Sequence, residues 1–143
     1  MSRTVYKEVP PVRATDPASR RLLWCVPVLV LWAVLLAAWT VALLTPDPIR
    51  LAQEVLPEPV EFPAAKLLHL AAYAALAALA CVLRPLGRFR WVLLAVLSLH
   101  GMGTEYAQQF VELRTPSVRD VLIDHAGILL GALAVWRNWL KGW

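Results

Sequence analysis

A group of ionisable and amide side chains lies between residues 103 and 127, GTEYAQQFVELRTPSVRDVLIDHAG, between two long apolar runs. Carboxylates and imidazoles are the usual groups of acid–base catalysis, and guanidinium groups bind anions. Inside an apolar span such groups are costly unless they face the protein interior or a wet cavity. The segment therefore predicts a buried polar site if its flanking runs lie in a membrane. Its charged, amide and imidazole side chains are those of Glu105, Gln108, Gln109, Glu112, Arg114, Arg119, Asp120, Asp124 and His125.

The composition predicts that the flanking runs do lie in a membrane. Of 143 residues, 59% are hydrophobic and 17% are charged, and the mean hydropathy is +0.60. A transmembrane helix needs about 20 mostly apolar residues, and residues 22–44, 65–83, 91–110 and 118–139 meet that length. We expect an all-α, polytopic membrane protein with four transmembrane helices in a compact bundle. The first run exceeds the ~7–15 apolar residues of a signal peptide, so a retained anchor is expected.

The distribution of Lys and Arg predicts the orientation of the chain in the cell membrane. Cytoplasmic connections carry an excess of these residues, whereas segment 45–64 holds only Arg50 against four acids. Both termini are therefore expected in the cytoplasm and segment 45–64 outside, with a short surface helix at IRLAQEVL. Residues 1–20 are expected to form a flexible cytoplasmic tail, and residues 21–143 the transmembrane domain. The basic residues of the segments predicted to be cytoplasmic are Arg3, Lys7, Arg13, Arg20 and Arg21, then Arg84, Arg88 and Arg90, then Arg137 and Lys141.

Several classes of partner are not indicated by the sequence. The net charge of +4 follows from the basic cytoplasmic connections, and no aromatic-interleaved basic surface suggests nucleic acid. There is no nucleotide-binding loop and no Cys/His metal motif, so no cofactor or metal is predicted. Cys25 and Cys81 lie at the reducing cytoplasmic side, where they are expected to be buried packing residues outside any disulfide. Membrane lipids are the expected surroundings.

Counting residues along each span places the ionisable groups at one depth. Lys66 and His69 lie near the outer end of the second span, and Tyr73 continues the same side at i, i+3, i+7 spacing. On the fourth span Asp120 and Asp124 share a stripe with a Gly-x-x-x-Gly pair, which permits close helix approach. The stripes predict an inward-facing pocket open to the outside. Its expected ligand-binding residues are Lys66, His69, Glu105, Gln108, Arg114, Asp120 and Asp124.

These residues form a pattern that resembles the VanZ-like family. The pattern is Lys66-x-x-His69-x-x-x-Tyr73, then Glu105-x-x-Gln108-x-Phe110-x-x-x-Arg114, then Asp120-x-x-x-Asp124-x-x-Gly127-x-x-x-Gly131. The sequence departs from it at Ala65, where the family often has Asp, and at Asp124, where it usually has Asn. The resemblance spans residues 65–131 and implies a small bacterial envelope protein linked to glycopeptide (teicoplanin-type) resistance. It leaves the biochemical activity open.

Four hypotheses for the pocket follow. We favour a binding site for an envelope ligand, which is a lipid headgroup, a cell-wall precursor or a lipoglycopeptide. The second hypothesis is an enzyme acting on a lipid or cell-wall substrate, with Glu105 or His69 as the general base. The third is a structural ion-pair network, and the fourth is a proton-coupled path. Whether the protein is an enzyme stays open, because no nucleophile motif is present, and a metal site at His69, Glu105 and Asp124 is a weaker alternative.

Structural roles compete for some of these residues. Asp120 follows Ser117 by three positions, which suits a capping box. Arg114 is expected to pair with Asp120 or Glu105. His100 lacks an obvious partner by spacing and is expected to be a satisfied buried imidazole. His125 lies about 100° around the helix from Asp124 and is expected to face away from the pocket.

Overall fold

The computed structural model describes residues 17–55, 57–83 and 88–140, and every regular element in these ranges is helical. The all-α class is therefore confirmed for the described residues. Residues 1–16 of the predicted tail lie outside them, and α1 begins at Pro17, within the last four residues of that tail. The helices are α1 (Pro17–Leu44), α2 (Asp47–Val55), α3 (Glu58–Val82), α4 (Phe89–Ala107), a short 3₁₀ helix (Gln108–Phe110) and α5 (Val118–Leu140).

The boundaries differ from the prediction mainly at α3. The expected second span begins at residue 65, and segment 45–64 is expected to contain only a short surface helix. That short helix is present as α2, but α3 begins at Glu58 and includes Pro63. A proline in the first helical turn removes only an N–H that has no partner there, so Pro59 starts this helix without loss. The expected third span ends in 3₁₀ geometry from Gln108 onward.

The closest packing in the bundle is between α3 and α5, which form the largest helix–helix contact. A Cβ on Gly127 would lie 2.5 Å from the carbonyl oxygen of Leu70, and a Cβ on Gly131 would overlap the backbone of Ala74. These two glycines therefore allow the helix backbones to meet directly. The approach holds the polar residues of α3 against those of α5.

Helix α1 packs on this pair through aromatic and small residues. Trp32 donates its indole N–H to the carbonyl oxygen of Leu76 on α3 at 3.0 Å. Its neighbours in the core include Tyr73 and Leu97, which are fully buried. Cys25 and Cys81 are buried thiols with no disulfide between them, as expected.

Two helices are long and apolar enough to cross a membrane, over Leu23–Leu44 and Pro59–Val82. Only 11% of the first stretch is buried in the chain, whereas the core helix of a water-soluble protein is mostly buried. Helices α4 and α5 carry polar residues near their middles, including His100 and Asp124. The length and composition of the helices thus favour a membrane location, and crossing by all four long helices remains a prediction.

Many large aliphatic side chains are exposed, while several polar side chains are buried beside the apolar core. Val26 and Leu99 are 58% and 65% exposed, whereas Asp124 and Gln108 are 1% and 3% exposed. The described chain thus combines an exterior rich in aliphatic side chains with a small set of buried polar groups. The buried polar residues are His69, Thr104, Glu105, Gln108, Asp120 and Asp124.

Candidate functional site

Lys66 and Asp120 form an ion pair between α3 and α5. The Lys66 ammonium donates to Oδ1 of Asp120, and it also lies 4.8 Å from the ring centroid of Phe62. Asp120 occupies the first turn of α5, where the helix dipole favours a carboxylate. The pairing brings together two of the predicted binding residues and leaves their charges mutually neutralised.

Glu105 binds the start of α5 from the neighbouring helix. Its carboxylate accepts a hydrogen bond from the backbone N–H of Ser117, just before α5 begins. In a capping box, the Asp120 carboxylate would accept the hydrogen bond from this N–H. Asp120 pairs with Lys66 instead. Glu105 therefore supplies the cap, and its charge lies at the positive end of the helix dipole.

His69 and Asp124 are a buried pair between α3 and α5. Nδ1 of His69 lies 2.9 Å from Oδ1 of Asp124, and the imidazole packs edge-on against Trp39 with ring centroids 5.4 Å apart. A Cβ at Gly101 would lie 3.1 Å from Oδ2 of Asp124, so the small residue leaves room for the acid. A carboxylate bound at Nδ1 orients a histidine and leaves Nε2 for acid–base work.

A chain of half-buried hydrogen bonds runs from Tyr73 on α3 through His100 on α4 to Thr40 on α1. Thr40 donates its hydroxyl proton to the carbonyl oxygen of Leu36 at 2.8 Å, so it accepts from Nε2 of His100 at 2.8 Å. Nδ1 of His100 then accepts from the Tyr73 hydroxyl at 2.9 Å. Helical spacing alone indicated no partner for His100. In the sequence, Thr40 could have been recognised as a site residue because it is an isolated hydroxyl residue in an otherwise apolar span.

His125 has partners of its own outside the pocket. Its Nδ1 donates to the carbonyl oxygen of Val121 at 2.7 Å, and its Nε2 lies 2.8 Å from the hydroxyl of Ser98. One ring nitrogen is thereby fixed as donor and the other as acceptor. His125 faces α4 and not the Asp120/Asp124 stripe, as predicted.

Arg114 contacts the end of α1, not the predicted acids. Its Nη2 donates to the carbonyl oxygen of Ala42 at 2.6 Å and lies 3.5 Å from that of Thr45. Among the described residues, none of the ion pairs includes Arg114, so the expected pairing with Glu105 or Asp120 is wrong at contact distance. Burial lowers the pKa of Arg114, while the charges of Glu105 and Asp120 act in the opposite direction. A guanidinium nevertheless keeps its charge in proteins.

A cavity of about 530 Å³ lies between α1, α2, α3 and the chain from Gln108 to Asp120. Two of the seven predicted binding residues, Glu105 and Asp124, are not in its wall and instead lie behind it as partners of Ser117 and His69. Helix α2 contributes Pro48 and Ala52 to the wall, which the sequence did not indicate. The predicted residues that line the cavity are Lys66, His69, Gln108, Arg114 and Asp120.

The chemistry open to this cavity is hydrogen bonding and acid–base work. Within the described ranges, no group of three or more His, Cys, Asp or Glu side chains is placed to hold a metal ion, so His69, Glu105 and Asp124 do not form the metal site considered above. An imidazole, an amide and a guanidinium face the same space.

No known family model, curated protein or solved structure matches this chain.

Proposed function

We propose that this chain is a VanZ-like membrane protein of the bacterial cell envelope that crosses the membrane four times, with both termini in the cytoplasm. The exposed aliphatic side chains support the membrane location in this proposal. Leu99 on α4 and Leu122 on α5 are 65% exposed, although these helices are less apolar than α1 and α3. An exterior of this kind is stable in hydrocarbon and unfavourable in water.

The cavity then lies toward the external face, and we propose that it binds an amphiphilic envelope ligand. The observation that carries this proposal is the meeting of five predicted polar residues in one cavity with apolar walls. A few placed polar groups in an apolar concave site are the usual composition of a ligand pocket. The ligand classes are lipid headgroups, cell-wall precursors and lipoglycopeptides, and the expected phenotype is teicoplanin-type resistance.

Helix α2 supports an interfacial position for the cavity. Leu51 and Val55 are exposed on this short helix, and Pro48 and Ala52 line the cavity. Helices with one apolar and one polar face lie in the membrane interface. An amphiphile at that depth would have its chain among the spans and its headgroup beside α2.

A cavity-filling substitution tests the proposed function. Ala65 and Ala71 are both exposed alanines of α3, but only Ala65 lines the cavity. We expect Ala65→Trp to remove protection against teicoplanin, and the matched Ala71→Trp to keep it, at equal membrane abundance. Sensitivity and abundance are measured in the same complemented deletion strains. Equal protection by the two variants would contradict a role for the cavity.

A second candidate function, an enzyme with His69 as general base, is favoured by the 2.9 Å contact between His69 and Asp124. His69 lines the cavity and Asp124 lies behind it, which is the arrangement of an oriented base. Glu105, the other candidate base, accepts a hydrogen bond from the N–H of Ser117 and does not line the cavity. His69→Gln distinguishes the two functions when ligand binding and teicoplanin sensitivity are both measured. A variant that still binds the ligand but no longer protects against teicoplanin indicates catalysis. A variant that keeps its protection argues against catalysis.

A further inference from the structure

We propose that Gln108 and Arg114 bind a phosphate oxygen of the amphiphile. The inference rests on the proposed function and names the group that the cavity recognises. Both side chains line the cavity, and each has a buried N–H donor that makes no hydrogen bond among the described residues. These atoms are Nε2 of Gln108 and Nε of Arg114.

The unbonded amide of Gln108 points to a missing acceptor. Gln108 is 3% exposed, so a partner for this N–H has to lie within the cavity that the residue lines. A buried donor without a partner costs about 1–3 kcal/mol, and native proteins leave few of them. The adjacent Gln109 is exposed and does not line the cavity, so the feature belongs to the side of the 3₁₀ helix that faces the cavity.

The charge of Arg114 points to an anion. Its Nη2 is directed at the carbonyl oxygens that end α1, and these oxygens are neutral. Arg114 is half-buried with a buried Nε, and a desolvated guanidinium is normally accompanied by a carboxylate or a phosphate. The cationic neighbour Lys66 is paired with Asp120. Among the described residues that line the cavity, Arg114 has no contact ion pair, and the carboxylates of Glu105 and Asp120 act on it only at longer range.

The remaining wall argues for an amphiphile and not for a free ion. Trp39, Leu43, Phe62 and Leu68 supply an apolar lining that matches an acyl or isoprenoid chain. Glu61 adds a negative charge to the wall, so the anion must be held by direct hydrogen bonds and not by a generally positive field. Phosphate is the anion that membrane lipids and lipid-linked cell-wall precursors have in common.

The test is equilibrium binding of dodecyl phosphate to the full chain in an uncharged maltoside detergent, followed through tryptophan fluorescence because Trp39 lines the cavity. We expect saturable binding by the wild type, and an affinity at least about 10-fold weaker in Gln108→Leu, from the loss of one hydrogen bond to a charged group. Gln108→Glu, which has nearly the same shape, should weaken binding as much. Gln109→Leu is the matched control and should bind like the wild type.

Gln108 is the residue to change because Arg114 also holds the end of α1. Dodecyltrimethylammonium, with the same chain and the opposite charge, should not bind saturably, and inorganic phosphate at the same concentration should not compete. If the wild type binds dodecyl phosphate and both Gln108 variants bind it equally well, this inference is overturned while the proposed function stands. If the wild type binds none of the amphiphiles, the proposed function itself is contradicted. Competition by inorganic phosphate equal to that by dodecyl phosphate would assign the site to a free anion.

Discussion

The carboxylate of Glu105 accepts a hydrogen bond from the backbone N–H of Ser117, so an acid at the end of α4 caps the first turn of α5. By its charge and burial this residue resembled a catalytic base. Its contact instead gives it a structural role, because the N–H groups of a first helical turn need acceptors. The third hypothesis, a structural network, therefore accounts for this residue even though it does not account for the cavity.

The capping role of Glu105 predicts a graded response to substitution. Glu105→Gln keeps an oxygen for Ser117 but loses the charge at the helix N-terminus, which is worth about 0.3–1 kcal/mol. Glu105→Ala leaves the N–H unsatisfied and should cost about 1–3 kcal/mol. Thermal unfolding of the purified variants in one detergent measures both. Equal destabilisation by Gln and Ala would indicate that the charge, and not the hydrogen bond, is what matters.

The glycines of α5 predict a second difference in stability. Gly131→Ala places a methyl group into the backbone of Ala74, and overpacking of this kind costs about 1–3 kcal/mol. Gly103→Ala on α4 is the control, since a Cβ there meets no atom within 4 Å. Alanine at that helical position should be neutral or stabilising by up to about 1 kcal/mol. The two variants are compared by the temperature at which each loses its monodisperse peak in size-exclusion chromatography. A Gly131→Ala protein as stable as Gly103→Ala would be incompatible with the direct contact of α3 and α5.

The Lys66–Asp120 pair predicts non-additive substitutions. Lys66→Met leaves a nearly buried carboxylate unpaired. Breaking a fully buried pair costs about 3–5 kcal/mol; because the Lys66 side chain is 22% exposed, we expect about 1–3 kcal/mol here. Adding Asp120→Leu should restore most of the stability, because two apolar residues replace the pair at little cost. A double-mutant cycle on unfolding midpoints measures the coupling, and strictly additive effects would mean that the two side chains do not interact.

Four crossings and two crossings predict different labelling from outside the cell. Single cysteines are placed at the exposed positions Glu54, Arg88 and Glu112 in a chain whose own cysteines are replaced by alanine. With four spans an impermeant maleimide should modify Glu54→Cys and Glu112→Cys in intact cells and spare Arg88→Cys. If only α1 and α3 crossed the membrane, Glu112→Cys would be protected together with Arg88→Cys. Labelling at Arg88 without labelling at Glu54 would reverse the whole orientation.

Contacts that follow helical spacing could be predicted from the sequence. Lys66 and His69 share a face of α3, and Asp120 and Asp124 share a face of α5. The Gly-x-x-x-Gly pair brings those faces together, so Lys66 meets Asp120 and His69 meets Asp124. Spacing within one helix determines these faces without any knowledge of how the other helices are rotated.

Contacts that depend on helix rotation or on loop paths could not be predicted. Arg114 reaches the carbonyl oxygens of α1, and Thr40 reaches His100, because of where α1 lies in the bundle. No periodicity in the sequence encodes that position. The start of α3 at Glu58 also differs from the expected start at residue 65. Pro59 lies in the first helical turn, which tolerates proline.

The cavity beside Gln108 and Ala65 is proposed to hold an envelope amphiphile. Native mass spectrometry of the full chain, extracted gently from its own membranes, detects such a ligand without a chosen probe. We expect the wild type and Ala71→Trp to carry a phosphate-bearing amphiphile in stoichiometric amount and Ala65→Trp to have lost it. A wild-type protein without such a ligand, or an Ala65→Trp protein that carries as much as Ala71→Trp, would show that the cavity does not bind the amphiphile.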